Sequence, residues 1–360
     1  MVSVYPLANP KGVRLLCELC QSPAFLQCPD CRVTYYCTPE HQLSDRESVH
    51  PALCHLLGPL RAPPPALCSD EERRRNTEQT AQLRRHLLQL CLEAAERHLG
   101  AGMPSQSLPA AMHSLRFSIA LHGLRSSQLV PPYLLLAEAS IRLGHLTQAE
   151  EYLGQARWTL LKNPDCSLGL LAKLHRNQGL LFSARGNLAE ALAHLANDVY
   201  YNTCLYGTGN VHASPGCFHM ANVFLRQKKA GIAESLYTEI TDSWHAQLSR
   251  MLRRQLSAAQ DQRASGPEDE CLDKGLATEA VQILTEISEI RQGAPKREPG
   301  KLVRNLHAKA MLHLVLGDAA RACELARKAL LMAKDLPHQD EAGAIQAFLT
   351  MAESKLPICE

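Results

Sequence analysis

Residues 17–54 read CELCQSPAFLQCPDCRVTYYCTPEHQLSDRESVHPALC, and this stretch decides how the first part of the chain folds. It contains eight potential metal ligands in four pairs, which are Cys17 and Cys20, Cys28 and Cys31, Cys37 and His41, and His50 and Cys54. A C-x2-C pair presents two thiolates to one ion, and two ligands spaced i, i+4 lie on one face of a helix. Four pairs therefore supply two tetrahedral zinc sites. About 40 residues cannot build a sufficient apolar core, so metal binding has to supply folding free energy.

The order and spacing of these pairs resemble those of the MYND zinc finger. The likeness covers the C-x2-C-x7-C-x2-C spacing, Tyr36 directly before Cys37, His41 followed by Gln42, and the final H-x3-C. It implies interleaved ligation, in which the first and third pairs hold one ion and the second and fourth pairs hold the other. The resemblance thus implies two Zn2+ ions, with zinc 1 on Cys17, Cys20, Cys37 and His41, and zinc 2 on Cys28, Cys31, His50 and Cys54.

Two positions depart from the pattern of that family. The sixth ligand, usually a cysteine, is His41, and we expect a Cys3His site because imidazole is a sound zinc ligand. The tryptophan that usually stands three residues before the late histidine is Glu47. In the family, that tryptophan and the glutamine equivalent to Gln42 help to form a groove for proline-containing peptides. Two interpretations of the finger stay open, a structural staple and a protein-interaction surface. A catalytic zinc is not expected, because both sites have four protein ligands.

A proline-rich segment follows the finger. Residues 58–68 contain four prolines and predict a semi-rigid linker. Ser69 then begins a helix, and Glu72 completes a capping-box signal. We therefore expect separate cores on the two sides of the linker, so that removal of zinc melts residues 17–54 and leaves the helices after Ser69 folded.

Small residues, and a Leu or aromatic residue four positions after the second of them, recur every 42 positions in the next part of the chain. The recurring sets are Ala137, Gly179 and Ala221; Ala149, Ala191 and Ala233; and Leu153, Leu195 and Tyr237. Gly144 and Gly186 mark turns, and Gly123 and Gly207 mark loops two periods apart. Each unit is predicted to be helix, turn, helix, with small residues where the helices approach closely. The pattern is that of the tetratricopeptide repeat, and its length resembles the long repeats of kinesin light chains.

The predicted fold class is mainly α, with a small two-zinc MYND finger followed by a tetratricopeptide α-solenoid. The finger spans residues 1–57, the linker 58–68 and the repeat array 69–262. A mobile loop is predicted at 263–274. Residues 275–360 are predicted to hold helices with a further repeat-like unit and a capping helix.

Such arrays present a concave face to partners. By analogy with the repeat family, that face is predicted to include six polar residues on the first helices of the units, namely Glu138, Arg142, Lys173, Arg176, Asn222 and Arg226. They do not match the clamp that holds chaperone carboxylates in related arrays, and that role is not expected.

Bulk composition narrows the classes of partner. A formal net charge of +2 is far from the strongly basic balance expected of a nucleic-acid-binding domain. No apolar stretch is long enough to span a bilayer and no signal peptide is expected, so we place the chain in the cytosol or nucleus. We expect no membrane partner and no small-molecule substrate. Eight cysteines outside the cluster are expected to be buried hydrophobes rather than disulfides.

Enzymatic function is not expected. MYND fingers joined to helical repeats also occur in SET-domain methyltransferases, but those need an Asn-His-x-Cys segment, and no Asn-His dipeptide occurs here. A phosphate loop and a G-x-S-x-G motif are also missing. The binding alternatives are a cytoskeletal scaffold and a nuclear corepressor adaptor that reads proline-containing peptides.

Four further segments carry a resemblance that extends over the chain, namely Tyr5-Pro-Leu-Ala8, Val33-Thr-Tyr-Tyr-Cys37, Leu134-Leu-Leu-Ala-Glu-Ala-Ser140 and His194-Leu-Ala-Asn-Asp198. With the order of finger, linker and repeats, they resemble MYND and tetratricopeptide proteins of motile cilia and sperm flagella. The resemblance implies a component of the axoneme that associates with inner-arm dynein and with another tetratricopeptide protein.

Overall fold

A computed structural model describes residues 2–3, 14–61, 69–163, 167–260, 272–294, 298–334 and 339–355. The chain divides into two compact units, Met1–Arg185 and Gly186–Glu360. The division falls inside the predicted repeat array. Residues 62–68 of the predicted linker, residues 263–271 of the predicted mobile loop (263–274) and the segment Tyr5–Ala8 lie outside the described residues. Residues 58–61 of the predicted linker, with Pro59, belong to the helix His50–Arg61.

The first unit begins with a small antiparallel sheet of β1 (Val2–Ser3), β2 (Leu26–Gln27) and β3 (Tyr35–Tyr36), in which β2 is central. Its described helices are α1 (Pro39–Ser48), α2 (His50–Arg61), α3 (Asp70–Gly100), α4 (Pro104–His122), α5 (Val130–Arg142), α6 (Leu146–Lys162) and α7 (Leu168–Ala184). Consecutive helices from α3 to α7 pack against one another. The predicted capping box begins α3, because Ser69 accepts from the Glu72 amide and Glu72 accepts from the Ser69 amide.

The described helices of the second unit are α8 (Leu188–Tyr206), α9 (Ser214–Arg226), α10 (Ala230–Gln260), α11 (Lys274–Gly293), α12 (Pro299–Val315), α13 (Ala319–Ala333) and α14 (Gln339–Glu353). Within the described residues of both units, no helix is long and apolar enough to cross a membrane. The mainly α fold class is thus confirmed, with helical hairpins following the zinc-binding segment.

The backbone repeats with the predicted periods. Gly144, Gly186 and Lys228 are spaced by 42 residues, and each has a left-handed φ, of 81°, 83° and 61°. Each follows the first helix of a hairpin, where the chain has to turn sharply. Two periods apart, Gly123 and Gly207 end α4 and α8 with φ near 80°, at 75° and 85°. A single turn geometry therefore serves successive repeats.

Two glycines of the first unit should respond in opposite ways to alanine. Gly144→Ala places a side chain at φ 81° and is expected to destabilise by about 1 kcal/mol. Gly154→Ala lies inside α6, where an added Cβ meets nothing within 4 Å, and is expected to stabilise by about 0.5–1 kcal/mol. Urea denaturation of both variants checks the sign. Equal effects would contradict the strained turn.

The finger shares its core with the helices that follow it. Leu53 and Leu57 of α2 are fully buried in one cluster with Leu87 and Cys91 of α3, and helix α4 contributes Ala110 to the same cluster. The expectation of separate cores was therefore wrong. Because the apolar side of α2 is continuous with the hairpin α3–α4, the finger is the first layer of this unit.

The second unit has its own core around Trp244, which is fully buried. The scattered cysteines are only partly as expected. Cys91 and Cys323 are buried, Cys217 is half-buried and Cys204 is exposed, whereas Cys68, Cys166, Cys271 and Cys359 lie outside the described residues.

A histidine pair in the second unit gives a prediction for pH. His245 Nε2 and His307 Nδ1 are 3.2 Å apart. Burial lowers the pKa of His307 to about 3 and that of His245 to about 4. An unfolded histidine has a pKa of about 6.5, so the unfolded chain binds more protons between these values. Stability should therefore fall as the pH drops below about 6.5, by up to roughly 1.4 kcal/mol per pH unit per histidine.

The measurement is urea denaturation between pH 5 and 7, followed by Trp244 fluorescence in a Trp158→Phe background. His307→Leu removes one of the histidines whose pKa is lowered by burial, so the slope of stability against pH should become shallower in this variant. An unchanged slope in that variant would show that other groups cause the acid sensitivity.

Candidate metal centre

The two C-x2-C pairs lie in turns of the same backbone geometry. The amide of Gln21 donates to the Cys17 carbonyl, and the amide of Arg32 donates to the Cys28 carbonyl. Gln21 and Arg32 both adopt a left-handed φ, of 59° and 56°. The reversal brings both thiols of a pair to one side of the turn, which is how two ligands meet one ion.

Helices supply the other four ligands. Thr38 caps α1, and its hydroxyl accepts from the His41 amide. Cys37 stands just before this cap, so one turn of helix separates the two ligands of the third pair. His50 and Cys54 are one turn apart in α2. The i, i+4 spacing therefore acts as predicted.

Interleaving is what the structure shows. Cys17, Cys20, Cys37 and His41 form one group, and Cys28, Cys31, His50 and Cys54 form the other, with all ligand atoms of a group within 4.8 Å of one another. In the first group, His41 Nδ1 lies 3.5 Å from Cys17 Sγ and 3.2 Å from Cys37 Sγ, and the Sγ atoms of Cys20 and Cys37 are 3.4 Å apart.

The second group has matching dimensions. His50 Nε2 lies 3.3 Å from Cys28 Sγ and 4.0 Å from Cys31 Sγ, and the Sγ atoms of Cys28 and Cys54 are 3.9 Å apart. A tetrahedron with zinc–sulfur bonds of about 2.3 Å has edges of about 3.8 Å. Both Cys3His groups therefore fit a zinc ion, and the finger fits two.

The acid–base properties of the thiols also suit a cation. Burial and the neighbouring thiols of Cys31 and Cys28 raise the pKa of Cys54 to about 12. Burial and the thiols of Cys20 and Cys17 raise the pKa of Cys37 to about 11. Several thiolates so close together repel one another, and a divalent ion removes this cost by binding them in the deprotonated form. The chemistry that the metal supplies is cross-linking, because four protein ligands complete each site.

A buried carboxylate lies behind the second group. Asp45 is fully buried in α1 and accepts a hydrogen bond from the Tyr36 hydroxyl at 2.7 Å. Its other oxygen is 3.0 Å from His113 Nε2 of α4. His50 turns its Nδ1 toward this pair, 3.5 Å from Asp45 Oδ2 and 3.4 Å from the Tyr36 hydroxyl oxygen. A carboxylate behind a ligating imidazole fixes its orientation, so Asp45 is a positioning residue for zinc 2.

A second polar cluster connects the first C-x2-C pair, through Glu18, to the helices that follow the finger. Glu18 is buried and receives hydrogen bonds from Arg61 of α2 at 3.1 Å and Arg116 of α4 at 2.6 Å. Although burial opposes it, these two guanidinium groups lower the pKa of Glu18. Arg61 also donates to the Val33 carbonyl at 2.6 Å. The finger is therefore anchored to α4 by two separate acidic residues.

Sequence reasoning found all eight ligands and missed these anchors. Asp45 is one helical turn after His41, which places it near the ligands. His113 and Arg116 are 59 or more residues from the last ligand, and no local pattern marks them. Only the packing of α4 on α1 brings them to the finger.

The predicted partner-binding residues make contacts within the chain. Arg142 pairs with Glu138 at 2.7 Å and also donates to the Leu99 carbonyl at 2.9 Å. Lys173 Nζ is 3.8 Å from a carboxylate oxygen of Glu96. In the second unit, Asn222 accepts from the Tyr237 hydroxyl at 2.6 Å. Arg176 and Arg226 also have partners. All six lie on α5, α7 and α9, the first helices of their hairpins.

Two solved structures resemble the chain at low identity. BtubC (BKLC) from P. vanneervenii is 15% identical, with 62% of this chain and 89% of that chain covered and a TM-score of 0.34. The pilF protein of Pseudomonas aeruginosa is 16% identical, with 74% of this chain and 99% of that chain covered and a TM-score of 0.33. Neither likeness adds to the fold described above. Residues 17–54 match the family model of the MYND finger, and this segment begins at the first of the eight ligands and ends at the last.

Proposed function

We propose that the protein is a non-enzymatic scaffold for protein–protein interaction. The finger is a structural part of this scaffold, and the helical hairpins supply its binding surfaces. The observation that carries the proposal is that each ligand group gives its ion four protein donors, so that neither metal has a position for substrate. The metal-binding segment is then built into the fold, and what remains for function is the surface of the helices.

The finger uses one side to build the first unit. Asp45 and Glu18 face α4, and Leu53 packs on α3. A freely hinged peptide-reading module would keep its surface for ligands instead. The nuclear corepressor alternative is therefore not proposed, and the position usually held by tryptophan, Glu47, gives it no support.

We further propose a place for this scaffold in the cytoplasm, on the axoneme of motile cilia and sperm flagella. The proposal is supported by the resemblance of the four quoted segments and of the domain order to zinc finger MYND domain-containing protein 12. Its partners would be an axonemal tetratricopeptide protein and components of the inner dynein arm. The scaffold would serve flagellar assembly and motility.

For the binding face we retain the first helices of the hairpins. The predicted binding residues remain Glu138, Arg142, Lys173, Arg176, Asn222 and Arg226. Arg142 also stabilises the last turn of α3 by its hydrogen bond to the Leu99 carbonyl. Arg176 and Arg226, which also have contacts within the chain, are the positions we test, with the fold of the variant checked separately.

The experiment is proximity labelling by the full-length protein in cells with motile cilia. We expect labelling of inner-arm dynein components and of an axonemal tetratricopeptide protein. Arg176→Glu with Arg226→Glu should reduce labelling at least five-fold, and thermal unfolding of that variant checks that the fold is kept. Gln42→Ala, at the position of the family's peptide groove, should leave labelling unchanged. Labelling of chromatin factors that is lost in Gln42→Ala would contradict the proposal.

A further inference from the structure

One end of α6 exposes large apolar side chains side by side. Trp158 and Leu161 are 60% and 70% exposed, and their i, i+3 spacing places them on one face of the helix. The loop after α4 adds Leu124, which is 74% exposed. The Asn163 side chain, just past α6, donates to the Arg125 carbonyl at 3.4 Å and so holds this loop against the end of α6. We call Leu124, Trp158 and Leu161 the α6 patch.

The face of α6 that carries the patch is also open one turn earlier in the helix. Gly154 lies one turn before Trp158, and a Cβ added there meets nothing within 4 Å. With Trp158 and Leu161 it forms an i, i+4, i+7 seam, the spacing by which helices pack on one another. Glycine in such a seam allows close approach of a partner backbone.

The charged residues beside Leu124, Trp158 and Leu161 are positive, whereas the exposed Glu151 lies one turn before Gly154 on the same face of α6. Arg125 and Arg157 are exposed, and neither forms an ion pair with any residue that the structure describes. Lys162 Nζ lies 4.7 Å from the centre of the Trp158 ring, so this cation covers the indole face. Glu150, at the other end of α6, is already paired with Arg185 at 2.5 Å. A ligand on the patch therefore meets unneutralised cations.

We propose that the α6 patch is a docking site for an amphipathic helix of another protein, with an apolar stripe that packs on Trp158 and Leu161 and acidic residues that face Arg125 and Arg157. Contiguous exposed apolar side chains rimmed by charge are typical of interaction sites. Tryptophan and arginine are the residues that most often dominate the binding energy of such sites. The acidic flanks follow from charge complementarity, which sets the orientation and selects the partner.

This inference rests on the proposed scaffold function but uses a different surface. The six residues on α5, α7 and α9 are tested by labelling in cells, whereas the α6 patch is tested with peptides and purified protein. Failure at the patch leaves the scaffold proposal standing, and failure of the labelling experiment leaves the peptide result unaffected.

The test begins with a display library of helical peptides of random sequence, selected on the full-length zinc-loaded protein. We expect the enriched peptides to carry apolar residues at i, i+3, i+4 and i+7 with Asp and Glu beside them. By fluorescence anisotropy, Trp158→Ala with Leu161→Ala should weaken the most enriched peptide at least ten-fold. Leu331→Ala, which removes a side chain of similar exposure from α13, should not.

Charge gives the second arm of the test. Arg125→Glu with Arg157→Glu should weaken the same peptide at least five-fold, and raising the salt concentration should weaken the wild-type complex. Enrichment of neutral or basic peptides would overturn the proposal, as would equal binding to the Trp158 and Leu161 variant. Concentration-dependent dimers that this variant abolishes would also overturn it, because a second copy of the chain would then be the occupant.

Discussion

Stripping both zinc ions with a chelator is expected to unfold residues 17–61 and to raise amide hydrogen exchange in α3 and α4 at least ten-fold, with α12 and α13 unchanged. Structural zinc in finger peptides contributes about 10–16 kcal/mol at neutral pH. A whole domain is stable by only about 5–15 kcal/mol, so loss of the metal exceeds what the finger's small core can offset.

The effect should reach the repeats because the finger covers part of their core. Once α2 unfolds, Leu87 and Cys91 of α3 lose the packing of Leu53 and Leu57. The buried His113 and the half-buried Arg116 of α4 lose their carboxylate partners at the same time. Uncovered apolar surface and unpaired buried polar groups both destabilise. The second unit has a separate core cluster, so α12 and α13 serve as the internal reference.

Hydrogen exchange with mass spectrometry, before and after chelation, measures this directly. Two cysteine variants refine it. Cys54→Ser should lower the bound zinc from two ions to one and raise exchange in α4, whereas Cys204→Ser, which changes an exposed cysteine outside the finger, should keep two ions. Exchange that rises only within residues 17–61 would restore the earlier expectation of two separate cores.

Local spacing determined most of what could be predicted. The ligand pairs are seen in the sequence because two donors of one ion must lie within one turn, and the 42-residue period because each hairpin needs small residues at its close contacts. Gly144 and Gly186 were recognisable as turns, whereas Lys228 takes the same left-handed conformation with a residue type that gives no signal.

What could not be predicted depends on contacts between distant segments. The linker prolines suggested that the finger stands apart, since composition shows where a chain is stiff but not which faces it joins. Glu18 and Arg116 are 98 positions apart, and their hydrogen bond follows only from the packing of the finger on α4. The exposure of Trp158 could not be predicted either, because a helix pattern does not show which apolar residues remain uncovered.

Apart from changes to the zinc ligands themselves, Asp45→Ala is the substitution with the largest expected effect on the first unit. It leaves the imidazole of His113 and the hydroxyl of Tyr36 buried without their acceptor, and removing one member of such a buried group typically costs about 3–5 kcal/mol. Asp45→Asn keeps an acceptor oxygen and should cost less. Glu150→Ala breaks an exposed pair with Arg185, which solvent screens, and should leave the free energy of unfolding almost unchanged.

Two readouts separate positioning of the ligand from a general loss of stability. Competition with a chromophoric chelator should show that Asp45→Asn weakens the site of His50 by roughly 10–100-fold and leaves the site of His41 unchanged, because only His50 faces Asp45. In a double-mutant cycle, Asp45→Ala and His113→Ala should be non-additive by more than about 1 kcal/mol, since the second change removes the group that the first left unpaired. Additive losses of unfolding free energy, with equal weakening of both zinc sites, would mean that Asp45 supports only the packing of α1. Zinc 2 would then be connected to α4 through the apolar contacts of α2 instead.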